Sequence, residues 1–385
     1  MITAALTPLL VRGAAELEPV ARGVRVHRLP AWVREQYPDP QLMAMETQPS
    51  GVRLSFRTTA TTVELVVHPT RNAYRGADRP RGALDVLVDG ALVHRDVLTG
   101  GDVSELDLTT GNSTFHSGPA HTTAIRTLPG SDKRVEIWLP HNETVELVEL
   151  RADAPISEDA GTTRHWLHHG SSISHGSNAT APSEIWPAVA ARVGGVELRN
   201  LGFGGSALVD PFMARVIRDA PADLISVKLG INVVNLDAMR LRAFVPAVHG
   251  FLDTIRDGHP GTPVVLVSPI FCAIHEDTPG PGAVDVDTLG TDQVRFVATG
   301  DPGDVRLGRL TLGVIRHELA ALTERRRADP HLHYLDGTEL YGAADATELP
   351  LPDALHPGPE AHRRIGERFA AYAFADGGPF ASTIS

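Results

Sequence analysis

A serine hydroxyl lifted out of a sheet on a glycine-framed turn can act as a nucleophile, and the stretch His168-His169-Gly170-Ser171-Ser172-Ile173-Ser174-His175-Gly176 offers one. Residues 164–167 ahead of it read as the end of a strand. Ser183-Glu184-Ile185-Trp186 behind it reads as a helix start. At such a turn the N–H groups of a helix N-terminus stand ready to hold a negative oxygen. Gly170 and Gly176 select Ser172 within the run. Ser171 reads as a cap or packing residue, and Ser172 taken alone would also read as a helix cap.

The elements that would position this serine begin near Gly161. Strand-like runs at 196–200, 224–229, 264–268 and 332–336 alternate with helix-like runs at 187–193, 211–219, 236–256, 310–327 and 360–375. Such alternation implies a parallel sheet with helices on both faces. Ligands of an open parallel sheet bind outside the carboxyl ends of its strands. Four blocks fall at that edge: Ser172; Asn200-Leu201-Gly202-Phe203-Gly204-Gly205-Ser206; Gly230-Ile231-Asn232; and, near the end of the chain, Asp353-Ala354-Leu355-His356-Pro357.

Gly-Ser-Ser-Ile-Ser-His-Gly resembles the Gly-Asp-Ser block of the SGNH (GDSL) hydrolase superfamily, and the later Gly, Gly-x-Asn and Asp-x-x-His blocks stand in the order of that family. The resemblance spans roughly residues 161–375 and implies an α/β fold, a three-layer α/β/α, flavodoxin-like domain. It also implies roles. Ser172 would attack an acyl carbon, His356 would take and return the proton, and Asp353 would fix the imidazole tautomer. The N–H groups of Ser172 and Gly205 with the amide of Asn232 would form the oxyanion hole. Ser171 stands where the family has Asp, and Val233 where an acid often follows the Asn; neither position is a catalytic group of the family. The nucleophile-elbow pattern G-x-S-x-G fails at Ser174, which argues against an ordinary α/β-hydrolase.

Other readings of these residues lead elsewhere. Gly202, Gly204 and Gly205 lack the spacing and the acidic partner of a dinucleotide fingerprint, so no cofactor is expected. Asn232 also suits a turn. His165, His168, His169 and His175 have no carboxylate spacing to complete a metal site and read as packed or surface residues. Arg325-Arg326-Arg327 reads as a helix C-terminal partner of the dipole.

At 385 residues the chain suggests two domains. Residues 20–150 carry short alternating strands (Val52, Leu54, Phe56; Val63, Leu65, Val67; Leu84, Val86, Val88; Val135, Ile137, Leu139) with turns at Asp89-Gly90 and His141-Asn142. This pattern predicts a β-sandwich, jelly-roll-like domain over 1–155 ahead of the catalytic domain over 156–385, the linker lying in 152–161. Residues 269–308, rich in Gly, Pro and Asp, read as a lid, a substrate-binding loop or a structural excursion.

The net charge of −12 argues against nucleic-acid or anionic-membrane partners. Lys133 and Lys228 are the only lysines among 35 basic residues, a bias that fits a GC-rich, actinobacterial type of genome. The single Cys272 excludes an intramolecular disulfide and a thiolate metal cluster. Residues 1–19 lack the features of a signal peptide and no window is long enough to span a membrane, so a cytoplasmic location is expected. The expected reaction is acyl transfer through acyl-Ser172. The two-domain layout resembles GDSL-type acyltransferases that tailor tetracycline-class polyketides, which implies a coenzyme A thioester donor and a small-molecule hydroxyl acceptor. Two alternatives stay open: a carboxylesterase or carbohydrate O-deacetylase that passes the acyl group to water, and a carbohydrate-binding protein with a degenerate catalytic domain. The oligomeric state is open.

Overall fold

The fold is that of a computed structural model, which describes residues 1–75, 80–107, 110–161, 164–288, 291 and 294–381. The chain divides into two compact units, Met1–Thr163 with Thr180–Ser183, and Arg164–Ala179 with Glu184–Ser385.

The first unit is a two-sheet sandwich. One sheet runs in the order Ser113–His116, Asp102–Leu106, Val63–Tyr74, Thr144–Ala152, Gly23–His27, Glu16–Val20; the other runs Ile156–Glu158, Arg53–Thr58, Lys133–Trp138, Ala83–Val88, Ala91–Val97. Leu54, Phe56, Val86 and Ile137 of the second sheet share one core with Leu65, Val67, Val145 and Leu147 of the first. Facing inner rows of this kind are what hold a sandwich together.

The alternation in the sequence predicts one buried face per strand, yet Ala83–Val88 is buried on both faces and Arg53–Thr58 nearly so. The polar residues survive burial by pairing with one another. Arg53 donates to Glu136 at 3.0 Å, and Arg134 Nε lies 2.8 Å from Asp159. Asp85, fully buried, takes hydrogen bonds from Arg95 and from both the N–H and the hydroxyl of Ser183. That last pair explains why Thr180–Ser183 groups with the sandwich.

The second unit carries a five-stranded, wholly parallel sheet. In chain order its strands are His165–Gly170, Glu197–Gly202, Leu224–Lys228, Val264–Val267 and Leu332–Leu335, and their spatial order is second, first, third, fourth, fifth. This is the flavodoxin-like order, and its reversal lies beside the first strand, where a ligand crevice is expected. Successive side chains of that strand serve opposite layers. Trp166 stacks on Phe369 of the helix Pro359–Ala373 and tilts against Trp186 of the helix Trp186–Gly194, while His169 stacks on Phe251 of the helix Leu241–Gly258.

Two expectations need correction. The helix foreseen over 236–256 starts only at Leu241 and runs to Gly258, and a separate short helix, Ile231–Asn235, precedes it. Asp237 takes a left-handed φ of 47° between them and breaks the run, although apolar spacing continues through it. Residues 269–308 are not a bare loop. They hold short 3₁₀ turns and a hairpin of Gly282–Val284 with Phe296–Ala298, too short to leave a periodic signal; residues 289–290 and 292–293 lie outside the described residues.

Candidate active site

The first strand ends at Gly170, where Ser171 turns the chain. Its backbone is extended and its Oγ accepts the Ile173 N–H at 3.4 Å, so Ser171 caps the one-turn helix Ser172–His175, which Gly176 closes at φ 112°. Ser172 is thus the first residue of that helix. It is half-buried, and its Oγ lies 2.9 Å from His356 Nε2. On the other side of the ring, His356 Nδ1 lies 2.7 Å from Asp353 Oδ2. A carboxylate only accepts, so the ring proton sits on Nδ1 and Nε2 is left to accept from the serine hydroxyl.

Asp353 is held on every side. Oδ1 accepts the backbone N–H groups of Leu355 and His356 at 3.0 and 2.7 Å, and Oδ2 also accepts from Asn178 Nδ2 at 3.2 Å. Burial works against its charge, but these bonds and the neighbouring imidazole outweigh it and keep the carboxyl below its ordinary range. Asp353 is therefore ionised wherever an imidazole titrates.

The nucleophile helix rests on a buried polar chain. Trp166 Nε1 donates to Ser226 Oγ at 2.9 Å, Ser226 Oγ lies 2.7 Å from His168 Nδ1, and His168 Nε2 lies 2.8 Å from Ser174 Oγ. Burial drives the His168 pKa well below its usual value, so the ring is neutral. Gly202, at the end of the second strand, lets the helix come close: a Cβ there would lie 2.5 Å from the His175 nitrogen. His362, in the helix that follows His356, spans from the other side. Its Nε2 donates to Ser177 O at 2.9 Å, its Nδ1 accepts the Trp186 N–H at 3.3 Å, and burial lowers it to about 4.

Three donors expected near the serine have no acceptor among the described residues: the N–H of Ser172, the N–H of Gly205 and the side-chain NH₂ of Asn232. The Asn232 flip is fixed, because its Oδ1 accepts the Ala207 N–H at 3.1 Å; the residue is only 4% exposed. That bond also ties Asn232 to the loop that carries Gly205, whose φ is 71°. Open donors of this kind are what an oxyanion would require of these residues.

The structure thus brings Ser172, His356 and Asp353 into one line and joins Asn232 to the Gly205 loop. It also shows contacts that sequence reading did not foresee: those of Asn178 and His362, and the bonds that join Ser226, His168 and Ser174. His165 is exposed and His168, His169 and His175 are buried; among the described residues no group of His, Cys, Asp or Glu could hold a metal ion. No helix among the described residues is long and apolar enough to cross a membrane.

Residues 169–364 match the family model of the GDSL-like lipase/acylhydrolase family, and residues 9–147 match that of the SsfX3 N-terminal domain. No curated protein matches the chain. Among solved structures, it is similar to the salicylyl-acyltransferase SsfX3 from a tetracycline biosynthetic pathway, at 28% identity and a TM-score of 0.78 over 96% of this chain and 95% of that one. A protein described as a GDSL-like lipase from Bacteroides ovatus shares its fold at 18% identity and a TM-score of 0.65, over 94% and 93% of the two chains. A family two carbohydrate esterase from Clostridium thermocellum shares it at 13% identity and a TM-score of 0.53, over 83% and 89%.

Proposed function

The chain belongs to the GDSL-like lipase/acylhydrolase family, and from that premise we propose that it is a serine O-acyltransferase. In this reading it takes an acyl group from a coenzyme A thioester onto Ser172 and delivers it to a hydroxyl of a small molecule such as an aromatic polyketide. The observation that carries the acyl-enzyme is the line from Ser172 Oγ to His356 Nε2 at 2.9 Å and from His356 Nδ1 to Asp353 at 2.7 Å. His356 accepts the serine proton as Oγ attacks and passes it to the departing thiolate, while Asp353 stabilises the imidazolium. Ser172 N–H, Gly205 N–H and the Asn232 amide hold the tetrahedral oxyanion. An acceptor hydroxyl then gives its proton to His356 Nε2 as its oxygen bonds to the acyl carbon, and Oγ leaves with that proton.

Transfer to a hydroxyl rather than to water is supported by the likeness to the salicylyl-acyltransferase, which includes the N-terminal unit as well as the catalytic one. Hydrolysis is the second reading, favoured by the acylhydrolase character of the family. The intact hydrogen-bonded line gives no support to a degenerate catalytic domain. A cytoplasmic site of action fits a thioester donor and remains part of the proposal. The test is product analysis with a panel of acyl-coenzyme A thioesters and phenolic acceptors. Acylated acceptor that rises with acceptor concentration is expected, whereas free acid at every acceptor concentration would leave the esterase reading in its place.

A further inference from the structure

The excursion between the fourth strand and the helix Leu312–Arg325 is fastened to the turn that carries acid and base. Phe296 donates its N–H to the Asp353 carbonyl at 2.9 Å, and the Cys272 thiol lies 3.3 Å from the Ala354 carbonyl. Burial and the neighbouring Glu276 push that thiol up to about 12, so it remains an S–H donor. Cys272 is anchored in turn, its N–H donating to Glu276, which is paired with Arg316. His275, fully buried, ties the same segment to Asn235 and to the Thr278 carbonyl. The hairpin strand Phe296–Ala298 is therefore a fixed wall beside the triad.

What this wall presents to the base is one aromatic ring. Phe296 is half-buried and its ring meets that of His356 in a T-shaped contact, with centroids 5.9 Å apart and planes at 79°. Once Ser172 is acylated, Oγ no longer offers a proton and His356 Nε2 is open to whichever hydroxyl arrives. Water needs hydrogen-bond partners on several sides to stay there, and a phenyl ring supplies none. A carbon-bearing acceptor, by contrast, gains from apolar aromatic surface.

The geometry points to Phe296 as the residue that selects the acceptor: it sheds water from the His356 edge and gives surface to the carbon skeleton of an organic hydroxyl. This rests on the acyl-Ser172 reading. In the step it governs, the acceptor O–H proton moves to Nε2, the acceptor oxygen bonds to the acyl carbon, and the bond from acyl carbon to Oγ breaks as Oγ takes the proton back. With water in place of the acceptor the same step yields free acid.

The experiment uses the full chain with p-nitrophenyl acetate as donor and benzyl alcohol as acceptor, reading nitrophenolate release for acylation and the ratio of acetate to benzyl acetate for partition. In Phe296→Ala that ratio should rise about tenfold while acylation changes by less than about threefold. Phe296→Leu, which keeps an apolar cover, should stay within about twofold of wild type. Phe296→Gln, which keeps more of the bulk than Ala but gives water a partner, should shift the ratio as Ala does and serves if the Ala variant does not fold. An unchanged ratio in Ala or Gln, or acylation that falls as much as the ratio rises, overturns the assignment while leaving acyl-Ser172 intact. Absence of any acyl-Ser172 in the wild type overturns the underlying reading and this assignment with it.

Discussion

Replacing Asp353 with asparagine should cripple the base without disturbing the fold, and the local hydrogen bonds say why. Oδ1 accepts two backbone N–H groups, at 3.0 and 2.7 Å. An amide has one oxygen, and turning it away from those donors would give up two hydrogen bonds at about 1 kcal/mol each. The oxygen therefore stays, and the NH₂ must face His356 Nδ1. A donor there forces the ring proton onto Nε2, the atom that should accept from Ser172 at 2.9 Å. The rate of acylation should fall about 10³- to 10⁴-fold, which is about 4 to 5.5 kcal/mol in the barrier. The assay is stopped-flow nitrophenolate release from p-nitrophenyl acetate, with a thermal melt to show that Asp353→Asn is folded. A loss of less than about tenfold in a folded variant would refute the tautomer argument.

Three further outcomes can be checked. Because the Asp353 carboxyl keeps its charge below its ordinary range, kcat/KM should fall along a single acid limb, the one required wherever a neutral base does the work. A flat profile from pH 5 to 8, with chemistry rate-limiting, would remove His356 as base. Asn232→Ala should lower kcat about 10²- to 10³-fold with little change in KM, and a change confined to KM would contradict its place in the oxyanion hole. Asp345 accepts from Arg368, the Gly342 N–H and Arg364, which outweigh its burial and hold its carboxyl at about 2. A depressed carboxyl stabilises the fold above its unfolded pKa and loses that contribution as pH falls from about 4 to about 2. Asp345→Asn should thus cost about 2 kcal/mol at pH 7 in denaturant unfolding, and a cost below about 0.5 kcal/mol would contradict the clamp.

The candidate site was legible where its meaning is local. Gly170, Ser172 and Gly176 lie within seven residues, and Asp353 and His356 share one turn, so spacing along the chain carries the geometry. The alternation of strands and helices carries the parallel sheet for the same reason. Asn178 could not be read this way: it meets Asp353 across 175 positions, and nothing in its own neighbourhood marks it. His168 stood inside the quoted stretch, but its partners Ser226 and Ser174 belong to a neighbouring strand and to the helix above, and only the register of the sheet brings them together. Phe296 was hidden because the hairpin that presents it has three-residue strands, too short for a pattern of period two to be seen. In the sandwich, Asp85 and Arg53 sit between the apolar residues of alternating strands, and their burial depends on Ser183 and Glu136, which are remote in sequence.

The most direct test of the central claim is the intact mass of wild-type protein and of Ser172→Ala after brief exposure to acyl-coenzyme A thioesters and activated esters. An acyl-sized mass gain in the wild type alone, lost faster with a hydroxyl acceptor than with water, is the predicted result. Equal labelling of Ser172→Ala, or turnover that survives the substitution, would contradict it.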